Sequence, residues 1–444
     1  MAWYRAKATR LRSVLRIDQI LIAWAHTEYS VGPSFRQCPL KGLLSPKDSL
    51  APTSGPLVSR DEMDFRKRQT TTTTPQNFGN AQLFRKTGWP KMELLIIGYT
   101  EPGQLGNYLA SAAEKLGLNY QTMDARRAET NNRLLQTFFW RLRGRRPANL
   151  ARFAAQVVDA CADMKPAIVL TTGGRVPLER AHIEKLRALG CKVVNYSTDD
   201  PWNPALYAKW FVSSLPAYDV IFTPRRANIN DFRESGACDV DYMPFGYDPE
   251  AHRPWVGNFA PGAPSDLLFV GGCDGDRLPL VGSLVDAGFN LALYGQYWDR
   301  HSKTNAHARG FANQDIIRAA TASAAVCLCL VRRANRDGHV MRSFEAAAIG
   351  GCILAEDSED HRNLFGSHGG AVRYFKTIPD LVQEARALMA DAGERQRMTL
   401  RLRERMLQRA DTYADRLSAM LRHIRKVPEA VDSRSRRQEL IPPG

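Results

Sequence analysis

From Met92 onward the chain alternates short apolar runs with longer amphipathic stretches, and this alternation constrains its fold more than any other feature. Residues 94–97, Leu-Leu-Ile-Ile, form an unbroken apolar run. Glycines at 98, 103 and 106 follow, with a helical pattern over 105–116. Parallel strands buried on both faces read as such runs, and each needs a crossover helix before the next. The same reading predicts strands at 118–123, 167–171, 192–196, 220–223 and 239–243, and helices at 149–164, 178–189, 204–215 and 227–235. Proline and glycine then interrupt the pattern at 244–249, with Pro254, Pro261 and Pro264 after them. The alternation restarts with strands at 266–270, 291–294, 324–331 and 352–355. Helices are expected at 277–287, 313–321 and 342–348, and from 378 to about 424. The expected fold class is α/β, with two Rossmann-like doubly wound domains facing a cleft. The domains span 92–250 and 251–424.

Residues 1–91 show little periodicity and contain the Pro-Ser-Gly stretch 45–56 and the run Thr70–Thr74. They read as a disordered extension, with a short helix in 7–25, or as residues ahead of a true start at Met92. Residues 425–444 read as a disordered tail. The chain carries a net charge of +15, but residues 1–91 hold 15 Lys and Arg against 6 Asp and Glu. Because the excess lies mostly outside the folded body, no nucleic-acid partner is expected. No apolar run reaches membrane-span length. The eight cysteines show no Cys-x-x-Cys spacing, so the expectation is a reduced, cytoplasmic protein with no metal site.

Ligands of doubly wound sheets bind at the carboxyl ends of the strands. Gly98, Thr172, Gly173, Asp199, Asp200, Gly271, Gly272, Gly295 and Arg342 all fall there. Arg342 and Glu345 share one face of a short helix that opens between two buried strands. An arginine in that first turn, beside free backbone N–H groups, suits a diphosphate, and Glu345 suits ribose hydroxyls. The other reading of this couple is a surface ion pair. Gly271-Gly272 with Arg277 fits close approach of backbone to phosphate. Asp200 fits either a general base or a turn cap. His339 fits a hydrogen bond to phosphate or sugar, or a solvated loop. Trp202 and Trp298 fit sugar stacking or core packing. The Gly-x-Gly-x-x-Gly and Gly-x-x-x-x-Gly-Lys-Ser/Thr patterns are absent, which argues against nicotinamide, flavin and P-loop chemistry.

These pieces together resemble a family. Leu268–Gly272 with Arg277, residues 293–298, Val340–Ala348 with Gly350, Asp199–Pro201, residues 243–248 and residues 411–416 are similar to GT-B glycosyltransferases. Within that fold they resemble the CgeB-like spore-maturation group. The resemblance implies sugar transfer from a nucleotide-sugar donor to a glycan or lipid-linked acceptor, with no cofactor or metal. It makes 92–250 the acceptor-side domain and 251–424 the nucleotide-sugar domain. It also implies catalytic roles for Asp200, His339 and Arg342. Donor binding falls to Gly271, Gly272, Arg277, Tyr294, Gly295, Asp337, Ser343 and Glu345. A lipid-linked acceptor brings with it an expected peripheral contact at the inner membrane surface, aided by the basic ends. Asp337 stands where a glutamate is usual, Ala410 where a histidine is, and Gly370 where a glutamate is common. These departures motivate the alternative, a non-catalytic nucleotide- or sugar-binding protein that retains the fold.

Overall fold

The computed structural model describes residues 94–257 and 264–426. The expectations for residues 1–91 and for the tail beyond 426 lie outside these described residues. The first lobe runs β1 (Leu94–Gly98), α1 (Leu105–Lys115), β2 (Tyr120–Asp124), α2 (Arg133–Leu142), α3 (Leu150–Met164) and β3 (Ile168–Thr172). It continues through α4 (Arg180–Ala188), β4 (Lys192–Tyr196), α5 (Lys209–Val212), β5 (Val220–Thr223), α6 (Ile229–Glu234) and β6 (Val240–Tyr242). All of its strand pairs are parallel, in the order β2-β1-β3-β4-β5-β6.

The second lobe begins with β7 (Leu267–Val270), α7 (Arg277–Asp286), β8 (Leu291–Tyr294), β9 (Ala308–Gly310), α8 (Gln314–Ser323) and β10 (Val326–Cys329). Then come α9 (Met341–Ile349), β11 (Ile353–Glu356), α10 (Glu359–Phe365), β12 (Arg373–Phe375), α11 (Ile378–Ala390), α12 (Ala392–Arg409) and α13 (Tyr413–Lys426). Its sheet order is β12-β11-β10-β7-β8-β9, again all parallel. Counted from β7, this is the 3-2-1-4-5-6 order of a dinucleotide-binding sheet. Its switch point lies between β7 and β10.

Each sheet is sandwiched between two apolar layers. Leu95, Ile97, Val169 and Val193 point into one layer of the first lobe, and Leu94, Ile96, Ile168 and Val194 into the other. The alternation follows from the two-residue period of a strand. The helical run expected from 378 to 424 is in fact three helices. Asp391 breaks it by capping α12, its Oδ1 accepting from Glu394 N at 2.7 Å. The second break comes at Ala410, in the left-handed region at φ 52°.

The last helix, α13, does not stay with the second sheet. Tyr413, Leu417, Met420, Leu421 and Ile424 recur at helical spacing and pack with Tyr108, Leu109, Ala112 and Ala113 of α1. Its start is tied to the interlobe hinge: Tyr247 N donates to Asp411 O (3.1 Å) and Tyr413 N to Tyr247 O (2.9 Å). Arg416 donates from Nε to Phe245 O at 3.1 Å and pairs with Asp411. The chain thus crosses the cleft twice, and both crossings are stitched to each other.

Besides β9, α10 and β12, to which the sequence reading assigns no element, three further segments differ from the expectation. The helix expected over 204–215 is reduced to α5, because Asn203 Oδ1 accepts from Ala205 N (3.0 Å) and holds a turn beside Pro204. The strand expected over 324–331 ends at Cys329. The segment 124–148, given no element above, contains α2.

Leu417 is fully buried, so Leu417→Ala is expected to cost about 3 kcal/mol of stability. Denaturant unfolding checks this. A surface-like loss, near zero, would mean that α13 does not anchor the first lobe.

Candidate active site

The two sheets present their carboxyl edges to one cleft, and the loop between β10 and α9 carries Asp337 and His339, with Arg342, Ser343 and Glu345 on the helix that follows. The structure brings this loop against the first lobe through buried charges. Asp200, after β4, is 1% exposed and receives Arg336 in bidentate fashion, Nε to Oδ2 at 2.6 Å and Nη2 to Oδ1 at 3.0 Å. It also accepts from Trp202 N at 2.9 Å, so the turn-capping reading holds as well. Asp337 accepts from Arg225 Nε at 2.6 Å and from Arg332 N at 3.2 Å. Arg226 reaches Asp360 at 3.0 Å, and Asn203 donates to Asn335 at 2.7 Å. Arg336 itself sits at φ 51°, a strained conformation for arginine that its two carboxylate partners, Asp200 and Asp231, hold in place. The two acids expected at Asp200 and Asp337 are therefore committed to clamping the lobes.

His339 is likewise enclosed. It is 1% exposed, and Phe245 N donates to its Nε2 at 3.3 Å. That bond leaves the proton on Nδ1, which lies 3.5 Å from Asp360 Oδ2. Burial lowers its pKa, and the aromatic rings of Tyr242, Phe245 and Phe344 surround it. The structure gives this histidine the place of a loop support rather than a group reaching into the cleft. Ser343 is also turned away, with its Oγ 3.1 Å from His361 Nε2. Burial pushes the His361 pKa down to about 4, so it supports Ser343 as a neutral ring.

Arg342 and Glu345 do meet across one turn of α9 as an ion pair. Their surroundings are unequal. The Arg342 side chain is 26% exposed, while that of Glu345 is 1% exposed. The first turn of α9 follows Val340, which supplies no side-chain cap; Ser343 N donates to Val340 O at 3.1 Å, which leaves the N–H groups of Met341 and Arg342 without a side-chain partner. Behind Glu345 stands a group that sequence reasoning missed. His252 Nε2 lies 3.4 Å from Glu345 Oε1 and 3.2 Å from the Tyr108 hydroxyl. Its Nδ1 faces the backbone of Asp248, at 3.0 Å from the amide and 3.1 Å from the carbonyl. Gln314, at the start of α8, donates to the same Tyr108 hydroxyl. Tyr108 in turn stacks on Tyr413, with ring centroids 5.4 Å apart. Each partner comes from a different element, more than 90 residues from Glu345 except Gln314 and Tyr413, so no local spacing signals the cluster.

At the switch point of the second sheet, Arg277 braces the floor. It donates to Gly272 O and Leu330 O, both at 3.3 Å, and thereby joins the loops after β7 and β10. Trp298 is fully buried and donates Nε1 to Gly271 O at 2.8 Å, a pillar rather than a stacking platform. Tyr294 packs in the core beside Phe245 and Leu268. Gly295 has φ 135°, and a Cβ there would collide with the Gly271 carbonyl, so only glycine fits. Trp202 packs edge-on against Phe232 at 4.9 Å.

The switch point of the first sheet holds a second cluster. Tyr99, after β1, donates to Glu129 Oε1 at 3.3 Å. Burial raises the Glu129 pKa above the ordinary carboxylate value, against the Tyr99 hydroxyl and the nearby arginines that lower it. Arg175, after β3, lies among the groups that act on it and covers the Trp140 ring at 4.6 Å. A separate cavity of about 200 Å³ lies at the hinge beside His252, Pro254, Ala348 and Met406. It is smaller than the ordinary range for small-molecule sites. Among the described residues no group of three or more His, Cys, Asp or Glu side chains is placed to hold a metal.

Burial works to raise the pKa of Glu345, but Arg342 and His252 outweigh it and hold the carboxyl at about 2. Its folded value thus lies below the unfolded one. The stabilisation is present above the unfolded value, near pH 4.3, and is lost as pH falls through about 2. Relative to Glu345→Gln, the wild type is expected to lose an advantage on the order of 3 kcal/mol between pH 6 and pH 2. Unfolding curves for both proteins across that range check it; a pH-independent difference would refute the ion pair.

Comparison with known proteins fits this architecture. Residues 277–422 match the family model described as glycosyl transferase-like. No curated protein matches the chain. Among solved structures it is similar to sucrose-phosphate synthase from Thermosynechococcus elongatus, with 12% identity and a TM-score of 0.54, over 76% of this chain and 100% of that one. A UDP-forming α,α-trehalose-phosphate synthase from Burkholderia xenovorans gives 15% identity and 0.51, over 76% and 100%. Anabaena Alr3699/HepE, solved with UDP and glucose, gives 11% and 0.50, over 74% and 98%. The chain has the GT-B fold, and most of its second lobe with the return helix is similar to the glycosyl transferase-like model.

Proposed function

We propose that this protein transfers a sugar from a nucleoside-diphosphate sugar to an acceptor hydroxyl, without a bound metal. One observation carries the reading. The glycosyl transferase-like match at 277–422 contains the α9 start, where the partly exposed Arg342 stands in a first turn that no side chain caps. Breaking the sugar–phosphate bond leaves its electron pair on the diphosphate, while the acceptor oxygen bonds to the sugar carbon. Arg342 and the first turn of α9 stabilise the departing charge. Glu345 is the ribose acceptor, freed when the donor's hydroxyls replace its present partners. Glu129 takes the proton from the acceptor hydroxyl, a role supported by its half-buried, upward-shifted carboxyl and its place at the opposite switch point. The acceptor is a glycan or a lipid-linked sugar held by the first lobe. UDP is the first nucleotide to try, because one structural neighbour is named UDP-forming and another was solved with UDP and glucose.

A second reading keeps the donor site but not the turnover. It is favoured by the commitment of Asp200 and Asp337 to cross-cleft ion pairs, which removes both from chemistry.

UDP at a hundredfold excess over Kd is expected to stabilise the protein by about 2.7 kcal/mol. Arg342→Ala removes that shift and slows transfer by roughly a hundredfold or more. Thermal melts with a panel of nucleoside diphosphates and their sugars check the first, and donor hydrolysis assays the second. A shift without any turnover across many acceptors selects the binding-protein reading. No shift with any nucleotide sinks both.

A further inference from the structure

Helix α2 is inverted relative to an ordinary lobe helix. Its sequence is Arg-Leu-Leu-Gln-Thr-Phe-Phe-Trp-Arg-Leu, and none of its ten residues is buried. Leu134 is 82% exposed and Leu142 72%, with Leu135 and Phe138 at 47% each. At about 100° per residue, Leu134, Leu135, Phe138, Phe139 and Leu142 fall on one arc of the wheel. This apolar face points outward. The opposite side is the one attached to the lobe, through Trp140, whose ring is covered by Arg175 at 4.6 Å and Arg145 at 5.7 Å.

The helix is nonetheless firmly held. Asn132 caps it, accepting from Leu134 N at 3.0 Å and Leu135 N at 3.2 Å. After it, Arg145 donates to Tyr207 O, and Arg146 pairs with Glu179. A fixed helix that displays leucine and phenylalanine to solvent presents a docking surface. Its charge identifies the occupant. Residues 126–146 contain seven arginines and one glutamate, and Arg133, Arg141 and Arg143 are exposed on the helix or just past its end. A second copy meeting this face about a two-fold axis would bring arginines against arginines. An anionic phospholipid surface instead accepts both halves, the apolar face below the headgroups and the arginines among the phosphates.

We propose that α2 lies in the plane of an anionic phospholipid bilayer and docks the first lobe on it. The helix is far too short to cross a membrane, and among the described residues no helix is long and apolar enough to do so. It sits at the carboxyl edge of the first sheet, where Arg175 stands in contact with Trp140 and acts on Glu129. Docking by α2 therefore sets the Tyr99–Glu129 cluster beside the headgroup layer. Taken with the sugar-transfer reading, on which this step rests, it narrows the acceptor to an amphiphile carried by that bilayer.

The test is flotation of the full chain with phosphatidylcholine vesicles, with and without phosphatidylglycerol. The wild type is expected to float with the anionic vesicles, less so at high salt, and poorly with the neutral ones. The triple variant Leu134→Ser, Phe138→Ser, Leu142→Ser is expected to bind at least tenfold more weakly, with unchanged melting temperature and unchanged mass by light scattering. Arg133→Gln, Arg141→Gln, Arg143→Gln is expected to lose the preference for anionic vesicles. Absence of wild-type flotation overturns the proposal. So does a serine variant that floats like the wild type, or one whose main change is loss of self-association. The UDP-induced melting shift is read on the same proteins. Absence of wild-type flotation with that shift intact defeats the docking helix alone, and absence of the shift with wild-type flotation intact defeats the transfer reading alone.

Discussion

The structure depends on charge pairs that span the cleft. Asp200 and Asp337 are buried carboxylates on different lobes, and each finds its cation on the other. A buried carboxylate without a partner is costly, so neither lobe's cleft edge is satisfied until the two close on each other. Such pairs add little net stability over apolar contacts, but breaking one by removing a partner is expensive. Their effect is geometric. They fix the loop between β10 and α9, with its strained Arg336, and that loop sets where α9 begins. The position of Arg342 is thus decided by aspartates and arginines that never touch it.

Glu345 follows from the same closure. Its carboxylate is sealed by Arg342 from its own helix and by His252 from the hinge. His252 is held by the backbone of Asp248, and Asp248 accepts from Ser111 of α1 at 2.8 Å. Helix α1 is thereby linked to the carboxylate through two hydrogen-bonded residues. On the proposed reading, a donor hydroxyl reaching Glu345 displaces His252, which would couple donor binding to the hinge.

What the sequence discloses and what it hides divide along contact range. The two sheets were legible because each buried strand is an apolar run with its own crossover helix, as in residues 94–97 and 291–294. The Arg342–Glu345 couple was legible because it lies within one turn. The partners of Asp200, Asp337 and Glu345 were not, since Arg336, Arg225 and His252 stand some 90 to 140 residues away, and a lone arginine or histidine in a loop carries no periodic signal. The crossing of α13 was equally hidden. Its apolar stripe announces a helix with a buried face, but nothing in the stripe says which sheet buries it.

The case of α2 shows the limit in its sharpest form. The spacing of Leu134, Leu135, Phe138, Phe139 and Leu142 is that of any core-facing helix, and pattern alone would bury it. What turns it outward is the opposite face, where Trp140 meets the guanidinium groups of Arg145 and Arg175 and the chain beyond is held to Tyr207 and Glu179. An aromatic ring against two guanidinium groups is an anchor stable at a water-exposed seam, where an aliphatic stripe would gain less. The lobe therefore spends its polar contacts on holding the helix and leaves the apolar ones for a partner. Helix orientation here is set by the residues that look least like core, and only coordinates reveal which face they win.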